Sequence, residues 1–405
     1  MKKFINIFFV LILILATMIP TTMQVFASEE SFNNFTSTSY VLLDGDSGEI
    51  LTSFNENEKL PVASICKLMT TLLTLEEIDA GNLSLEDEVM ASEHATSAEG
   101  SQAFLDAGSK YKIKDLLKSV IVASANDSAI VLAESISGNE QRFVERMNIR
   151  AKELGMKNTV YQNATGLNTI DSQYSTALDT AIILKEVEKY DIYNEFCTIW
   201  MDELVHPSGR VTELVNTNRL IRYYDYCKGG KTGYTDEAGY CLSSSASNGN
   251  LNLIAVVLNC SNAADRFKES MELYSYGFAN FENAKIVDSS SCLEQKILVS
   301  GGKVTETKVK PSKDFFALSK KGEKAKFEIS YELPNVIKAP KEVNEPIGKC
   351  YVTKNGVVVA EIDLVTMENL EKQTFGDVLD KIVRDWRIWF LFWIKLLILR
   401  NLLYK

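Results

Sequence analysis

Three short stretches carry residue types that could do chemistry. Residues 61–72 read PVASICKLMTTL, with Ser64 and Lys67 three apart in a run free of glycine and otherwise apolar. Helical spacing puts both on one face, a single turn apart. A serine hydroxyl is a weak nucleophile and needs a base within hydrogen-bond reach. A neutral lysine can be that base if burial and a second cation lower its pKa. A serine at the start of a helix also gains from the positive end of the dipole and from free backbone N–H groups, which suit a developing oxyanion. Residues 121–128 read IVASANDS and give Ser124-Ala125-Asn126 between two helical patterns. Residues 228–235 read KGGKTGYT and give Lys231-Thr232-Gly233 on a predicted strand.

S-x-x-K alone occurs by chance in many proteins. In the order S-x-x-K, S-x-N, K-T-G, well separated along one chain, the three form the signature of penicillin-recognising serine enzymes.

The remaining composition narrows the choices. The only histidines are His94 and His206, too few for a His-based zinc site or a Ser-His-Asp triad to be a natural reading. The seven cysteines are odd in number, irregularly spaced and without C-x-x-C, so neither a disulfide framework nor a zinc cluster is expected. One pair, Cys227 with Cys241 or Cys260, remains open. A formal charge of −11 argues against nucleic acid as a partner. Lys2 and Lys3, an apolar stretch over 4–19 and the Val25-Phe26-Ala27 ending read as a secretory signal peptide cleaved after Ala27, with an uncleaved membrane anchor as the other reading.

The elements that must position these residues follow from periodicity. Residues 39–43 and 49–54 predict a hairpin around Gly45-Asp46-Ser47-Gly48. Helical patterns cover 65–78, 113–124, 127–136, 140–154 and 176–188. Strands return at 229–232, 239–246 and 251–258, followed by a helix at 264–276. Strands at both ends of this segment imply one sheet covered by the helices between them. The lack of regular strand–helix alternation excludes a doubly wound or barrel fold. From about residue 284, short alternating runs separated by turns predict a small all-β domain. In 376–405, three of the four tryptophans and six basic against three acidic residues fall in an amphipathic pattern. Tryptophan and cationic flanks suit a helix lying in or tilted into a membrane interface. The expected domains are 1–27, 28–283, 284–375 and 376–405.

The chain resembles the serine-type D-alanyl-D-alanine carboxypeptidases, the low-molecular-mass penicillin-binding proteins. Beyond the three motifs, the likeness includes LLDGDSGEIL, SANDSAIVLAESISG, FVERMNIRAKELGMKNTVYQNATGL, STALD and KTGYTDEAGYCL. It extends to LPNVIKAP and PIGKCYV near the C-terminus. The resemblance implies an α/β (α+β) fold with a β-lactamase/transpeptidase-like catalytic domain, a β domain and a C-terminal anchor on the outer face of the cytoplasmic membrane. It implies peptidoglycan stem peptides as substrates, β-lactams as acylating inhibitors, and no metal or organic cofactor.

By the same resemblance Ser64 would be acylated, Lys67 would take its proton and Ser124 would relay a proton to the leaving amine. Asn126 would orient Lys67 and the substrate amide. Lys231 would help keep Lys67 neutral and, with Thr232, Gly233 and Arg266, hold the terminal carboxylate. Backbone N–H groups of Ser64 and Tyr234 would form the oxyanion hole. Cys66, Ala125 and Gln173 stand where the family more often has threonine, glycine and histidine. A β-lactamase would need a glutamate to activate water between the second and third motifs, and the stretch expected to carry it reads TVYQNATGLN. A wall-binding protein with a silent site would not need Ser64, Lys67, Ser124 and Lys231 together.

Overall fold

The computed structural model describes residues 32–167, 173–322 and 327–403, so the expected signal segment lies outside the described residues. The chain forms two compact units, Met1–Asn280 and Phe281–Lys405.

In the first unit a five-stranded antiparallel sheet runs in the order Ile50–Phe54, Ser39–Asp44, Asn252–Cys260, Gly239–Ser247, Cys227–Thr235. The chain's two ends of this segment meet in it, as the strand pattern implies. Ser39–Asp44 is buried throughout, so both faces of the sheet are covered. Side chains alternate along a strand. Val41, Leu43, Ile254, Val256 and Leu258 join the large core containing Leu68, Leu72, Ala177 and Leu184. Leu42 and Leu253 point the other way, against Gly277 of helix Asp265–Asn280, where an added Cβ would lie 2.6 Å from Leu253.

Helix Lys67–Asp79 carries buried residues on every side, including Thr70, Thr71 and Thr74. It is therefore a central core helix rather than an amphipathic surface one. The sequence pattern starts this helix at residue 65. In the structure Ala63–Cys66 is a separate 3-10 turn and the α-helix begins at Lys67. Helices Ile113–Ala123 and Asn126–Ser137 meet at a break at Ser124-Ala125. Two antiparallel strand pairs were not legible from periodicity: Glu88–Met90 with Lys110–Lys112, and the hairpin Met201–Val205 with Val211–Val215.

The second unit begins at Phe281, slightly ahead of the break expected after residue 283, because strand Phe281–Val287 pairs with Phe315–Lys320 inside it. No glycine or proline separates that strand from helix Asp265–Asn280, which hides it in the sequence. A four-stranded antiparallel sheet (Val309–Pro311, Val357–Thr366, Pro346–Lys354, Phe327–Glu332) surrounds Cys350, Val352, Ile362 and Leu364. A three-stranded sheet packs Ile297, Val299 and Ile337 around Leu370. The unit ends in helix Phe375–Leu403.

All seven cysteines are free, so the disulfide left open above does not form. Cys227 pairs opposite Ala246 while Cys241 pairs opposite Gly233 on the neighbouring strand. An offset of five residues at about 3.3 Å each is roughly 16 Å, far beyond disulfide reach. Cys260 lies opposite Tyr240, farther still along the sheet from Cys227.

Candidate active site

Ser64 sits on the 3-10 turn, after Ala63 at φ +47°, a conformation that L side chains rarely adopt. Such strain persists only where the surroundings over-determine it. Two glycines press on the turn. An added Cβ on Gly166 would lie 2.0 Å from the Ala63 oxygen, and one on Gly233 would lie 2.4 Å from the Val62 oxygen.

Lys67 is wholly buried, and its Nζ donates to Ser64 Oγ at 2.8 Å and to the Thr165 carbonyl at 2.8 Å. Burial lowers this amine from its ordinary range to about 8, against smaller opposing effects of Cys66 and Asp127. At neutral to mildly alkaline pH a usable fraction is therefore neutral and can accept a proton.

A second amine–hydroxyl pair faces the same site. Lys231 Nζ donates to Ser124 Oγ at 2.8 Å and to the Thr232 carbonyl at 2.9 Å. Burial, and then the neighbouring Lys67, push Lys231 well below its usual range. The two buried amines thus disfavour being charged together. Ser124 holds its hydroxyl in place through a left-handed backbone (φ +62°) at the end of helix Ile113–Ala123. Lys231 lies opposite Ser243 on the edge strand Cys227–Thr235, whose pairing with Gly239–Ser247 fixes its register.

Asn126 opens the next helix. Its Nδ2 donates to the Glu99 carbonyl at 2.6 Å, while its buried Oδ1 has no protein partner. The resemblance implies that Asn126 orients Lys67, but the second partner of Lys67 is the Thr165 carbonyl. A backbone contribution of that kind has no sequence signature. Asp127 beside it is buried and accepts from the N–H groups of Ala103 and Leu105, tying the 99–105 loop to the second motif.

Thr232 Oγ1 donates to Thr217 Oγ1 at 2.8 Å, so Thr217 is a site neighbour that the motif reading missed. Gly233 lies between Thr232 and the half-exposed Tyr234. The Tyr234 ring stacks on Tyr240 with centroids 4.4 Å apart, and its hydroxyl donates to Asp236 at 2.8 Å. Arg266 is the second residue of helix Asp265–Asn280. Its Nη1 donates to the Gly233 carbonyl at 3.1 Å, and its guanidinium lies over Tyr240 and Phe267. It joins the K-T-G strand from behind, with Nε buried and unpartnered. Cys66 is buried, its thiol pushed up to about 12 chiefly by desolvation, so it belongs to the core. Gln173 accepts through Oε1 from the N–H groups of Gln162 and Asn163 at 2.8 and 3.3 Å.

The geometry offers a nucleophile with an amine base, a second hydroxyl under a second amine, and an open buried acceptor. Comparison with known proteins places the chain by sequence and fold. Residues 24–262 match the family described as D-alanyl-D-alanine carboxypeptidase, and residues 281–372 match the C-terminal domain of penicillin-binding protein 5. The chain is 39% identical over 351 residues to D-alanyl-D-alanine carboxypeptidase DacF of Bacillus subtilis, covering 86% of this chain and 89% of that one. It is 31% identical over 379 residues to D-alanyl-D-alanine carboxypeptidase DacC of Escherichia coli, covering 91% and 93%. The crystal structure of penicillin-binding protein 5 from Haemophilus influenzae aligns with a TM-score of 0.64 at 31% identity, over 84% of this chain and 98% of that one.

Proposed function

The chain belongs to the serine D-alanyl-D-alanine carboxypeptidase family, and from that premise we propose how its residues divide the reaction. It is a serine-type D-Ala-D-Ala carboxypeptidase of peptidoglycan remodelling. The observation that carries the assignment of roles is the pair of amine–hydroxyl contacts, Lys67–Ser64 and Lys231–Ser124, in one buried site.

In the first step Ser64 Oγ attacks the carbonyl of the penultimate D-Ala while neutral Lys67 takes the hydroxyl proton. The oxyanion is held by the N–H groups of Ser64 and Tyr234. Losing one such donor typically costs ~10²–10³-fold in rate. Ser124, hydrogen-bonded to Lys231, delivers a proton to the nitrogen of the terminal D-Ala as the C–N bond breaks, and the proton that Lys67 took from Ser64 replaces it, so Lys67 is neutral again. An ester on Ser64 remains. Water, giving a proton to neutral Lys67, then attacks that ester, and Lys67 returns the proton to Ser64 Oγ as the ester C–O bond breaks.

The terminal carboxylate of the stem pentapeptide binds at Lys231 and the Thr232 hydroxyl. The incoming negative charge recharges Lys231, whose proton burial disfavours in the free enzyme. Arg266 supports this pocket through the Gly233 carbonyl and adds positive charge behind it. The unpartnered Asn126 Oδ1 accepts from an amide N–H of the stem peptide. β-Lactams acylate Ser64 as mimics of the same dipeptide.

The enzyme works outside the cytoplasm, and the C-terminal helix holds it to the outer face of the membrane. Trp386, Phe390 and Trp393 are exposed on that helix. Among the described residues no helix is long and apolar enough to cross a membrane.

The deciding experiment is release of free D-alanine from a peptide ending in D-Ala-D-Ala, with Ser64→Ala in parallel. Release by the wild type alone supports these roles. Release by Ser64→Ala would remove Ser64 as nucleophile.

A further inference from the structure

The base Lys67 takes one of its two hydrogen bonds from a backbone carbonyl, Thr165, on an irregular stretch. Six consecutive N–H groups in that stretch, Gln162 to Leu167, bond to side chains. Gln173 Oε1 takes those of Gln162 and Asn163. Glu140 Oε1 takes that of Ala164 at 2.9 Å. Asn163 Oδ1 takes those of Thr165 and Gly166 at 3.1 and 2.6 Å, and Thr165 Oγ1 takes that of Leu167 at 3.3 Å. The Ala164 carbonyl accepts from Thr70 Oγ1 at 2.7 Å, on the same helix as Lys67.

A backbone that forms no helix or sheet has no ladder to fix its carbonyls, so the orientation of Thr165 depends on these side chains. Asn163 and Thr165 bond within the stretch itself and move with it. Glu140 and Gln173 reach it from outside. Glu140 is the first residue of helix Glu140–Glu153, and its other oxygen faces His94 Nε2 at 3.8 Å.

We propose that Glu140, with Gln173 as its second, is a positioning residue of the acyl-transfer reaction. It seats the 162–167 stretch so that the Thr165 carbonyl fixes the Lys67 amine against Ser64. The inference rests on Lys67 being the base. Neither residue touches the nucleophile or substrate. The loss on truncation should therefore fall on the chemical step rather than on binding at Lys231 and Thr232.

The test uses the full chain and two readouts: the acylation rate constant with a fluorescent penicillin, and kcat and KM for D-alanine release. Glu140→Ala is expected to slow acylation and kcat by about 10–10²-fold, the scale of a small misplacement of a reacting group, with KM unchanged. Glu140→Gln keeps an oxygen for the Ala164 N–H and is expected to stay within about threefold of wild type, on the scale of a retained neutral hydrogen bond. Wild-type acylation by Glu140→Ala overturns the proposal. So does an equal loss in both variants at equal melting temperature. Should Glu140→Ala fail to fold, Gln173→Met, similar in size but lacking the acceptor, carries the same expectation, and an unchanged kcat overturns the proposal. Lys67→Ala is run alongside. If it acylates normally the base assignment itself fails. If it is inactive while Glu140→Ala is normal, only the present inference fails.

Discussion

Gly166 packs against the carbonyl of Ala63 so closely that an added Cβ would lie 2.0 Å from that oxygen. The contact joins the stretch that binds Lys67 to the strained residue that sets Ser64. Gly166 is also at φ +83°, where an L side chain is disfavoured. Gly166→Ala must therefore shift either the nucleophile turn or the Thr165 carbonyl. Expected are a stability loss of about 1–3 kcal/mol from strain and overpacking and a fall in acylation of at least ~10²-fold from the misplaced pair. Thermal melting and fluorescent-penicillin acylation measure the two. Normal acylation by a folded Gly166→Ala protein would show that the close approach does not matter to Ser64.

Acylation should follow the protonation state of Lys67. Only the neutral amine accepts the Ser64 proton, and burial lowers its pKa to about 8. The rate of acylation of free enzyme is thus expected to rise with pH, reach half its maximum near 8 and level off above. An unshifted lysine would place that rise above pH 10. Lys67→Arg retains a cation but cannot release its proton in this range. It should lose about 10²–10⁴-fold, the usual contribution of a general base. A pH-independent rate between 6 and 9 would contradict the assignment.

What could be read from the sequence follows from which atoms do the work. In the proposed roles Ser64, Lys67, Ser124 and Lys231 act through side chains, so their types and order were visible before any coordinates. Helix 113–124 and strand 251–258 were visible because burial on defined faces imposes a period. Thr165 was not, because its contribution is a carbonyl that any residue carries. The strained Ala63 was not, since alanine has no marked preference for φ +47°. Arg266 was found only through the family likeness, and the structure gives it partners that spacing does not reveal, the Gly233 carbonyl and the Tyr240 ring. Strand Phe281–Val287 was hidden by the absence of a breaker after the preceding helix.

The cysteines make a separate prediction. Cys66, Cys197, Cys241, Cys260 and Cys350 are buried, Cys227 is half-buried, and Cys292 is exposed. Burial pushes the thiols of Cys66, Cys227 and Cys241 up to between about 11 and 12. Thiolate is the reactive form, so these should be inert in the folded protein. Native protein at pH 7 is expected to take up one equivalent of iodoacetamide rapidly, at Cys292, and the same with or without prior reduction. Additional fast-reacting thiols appearing only after reduction would reveal a disulfide and contradict the strand offsets.

The C-terminal helix can be tested apart from catalysis. Trp386, Phe390 and Trp393 are spaced four and three residues apart, which places them on one helical face, and all three are exposed. Arg384, Arg387 and Lys395 supply positive charge in the same stretch. Aromatic rings at the headgroup level and cations near anionic lipid both favour an interface. Protein lacking residues 376–405 is expected to stay in the supernatant with vesicles containing phosphatidylglycerol, while the full mature chain sediments. Hydrolysis of a small soluble peptide should be unchanged by the truncation, because the site residues all lie before Asn280. Trp386→Ala with Trp393→Ala should release part of the bound protein, and added salt should release more by screening the basic residues. A truncated protein that still sediments would take the anchoring role away from this helix. Binding that resists both salt and the tryptophan changes would favour a helix inserted deeper than the interface.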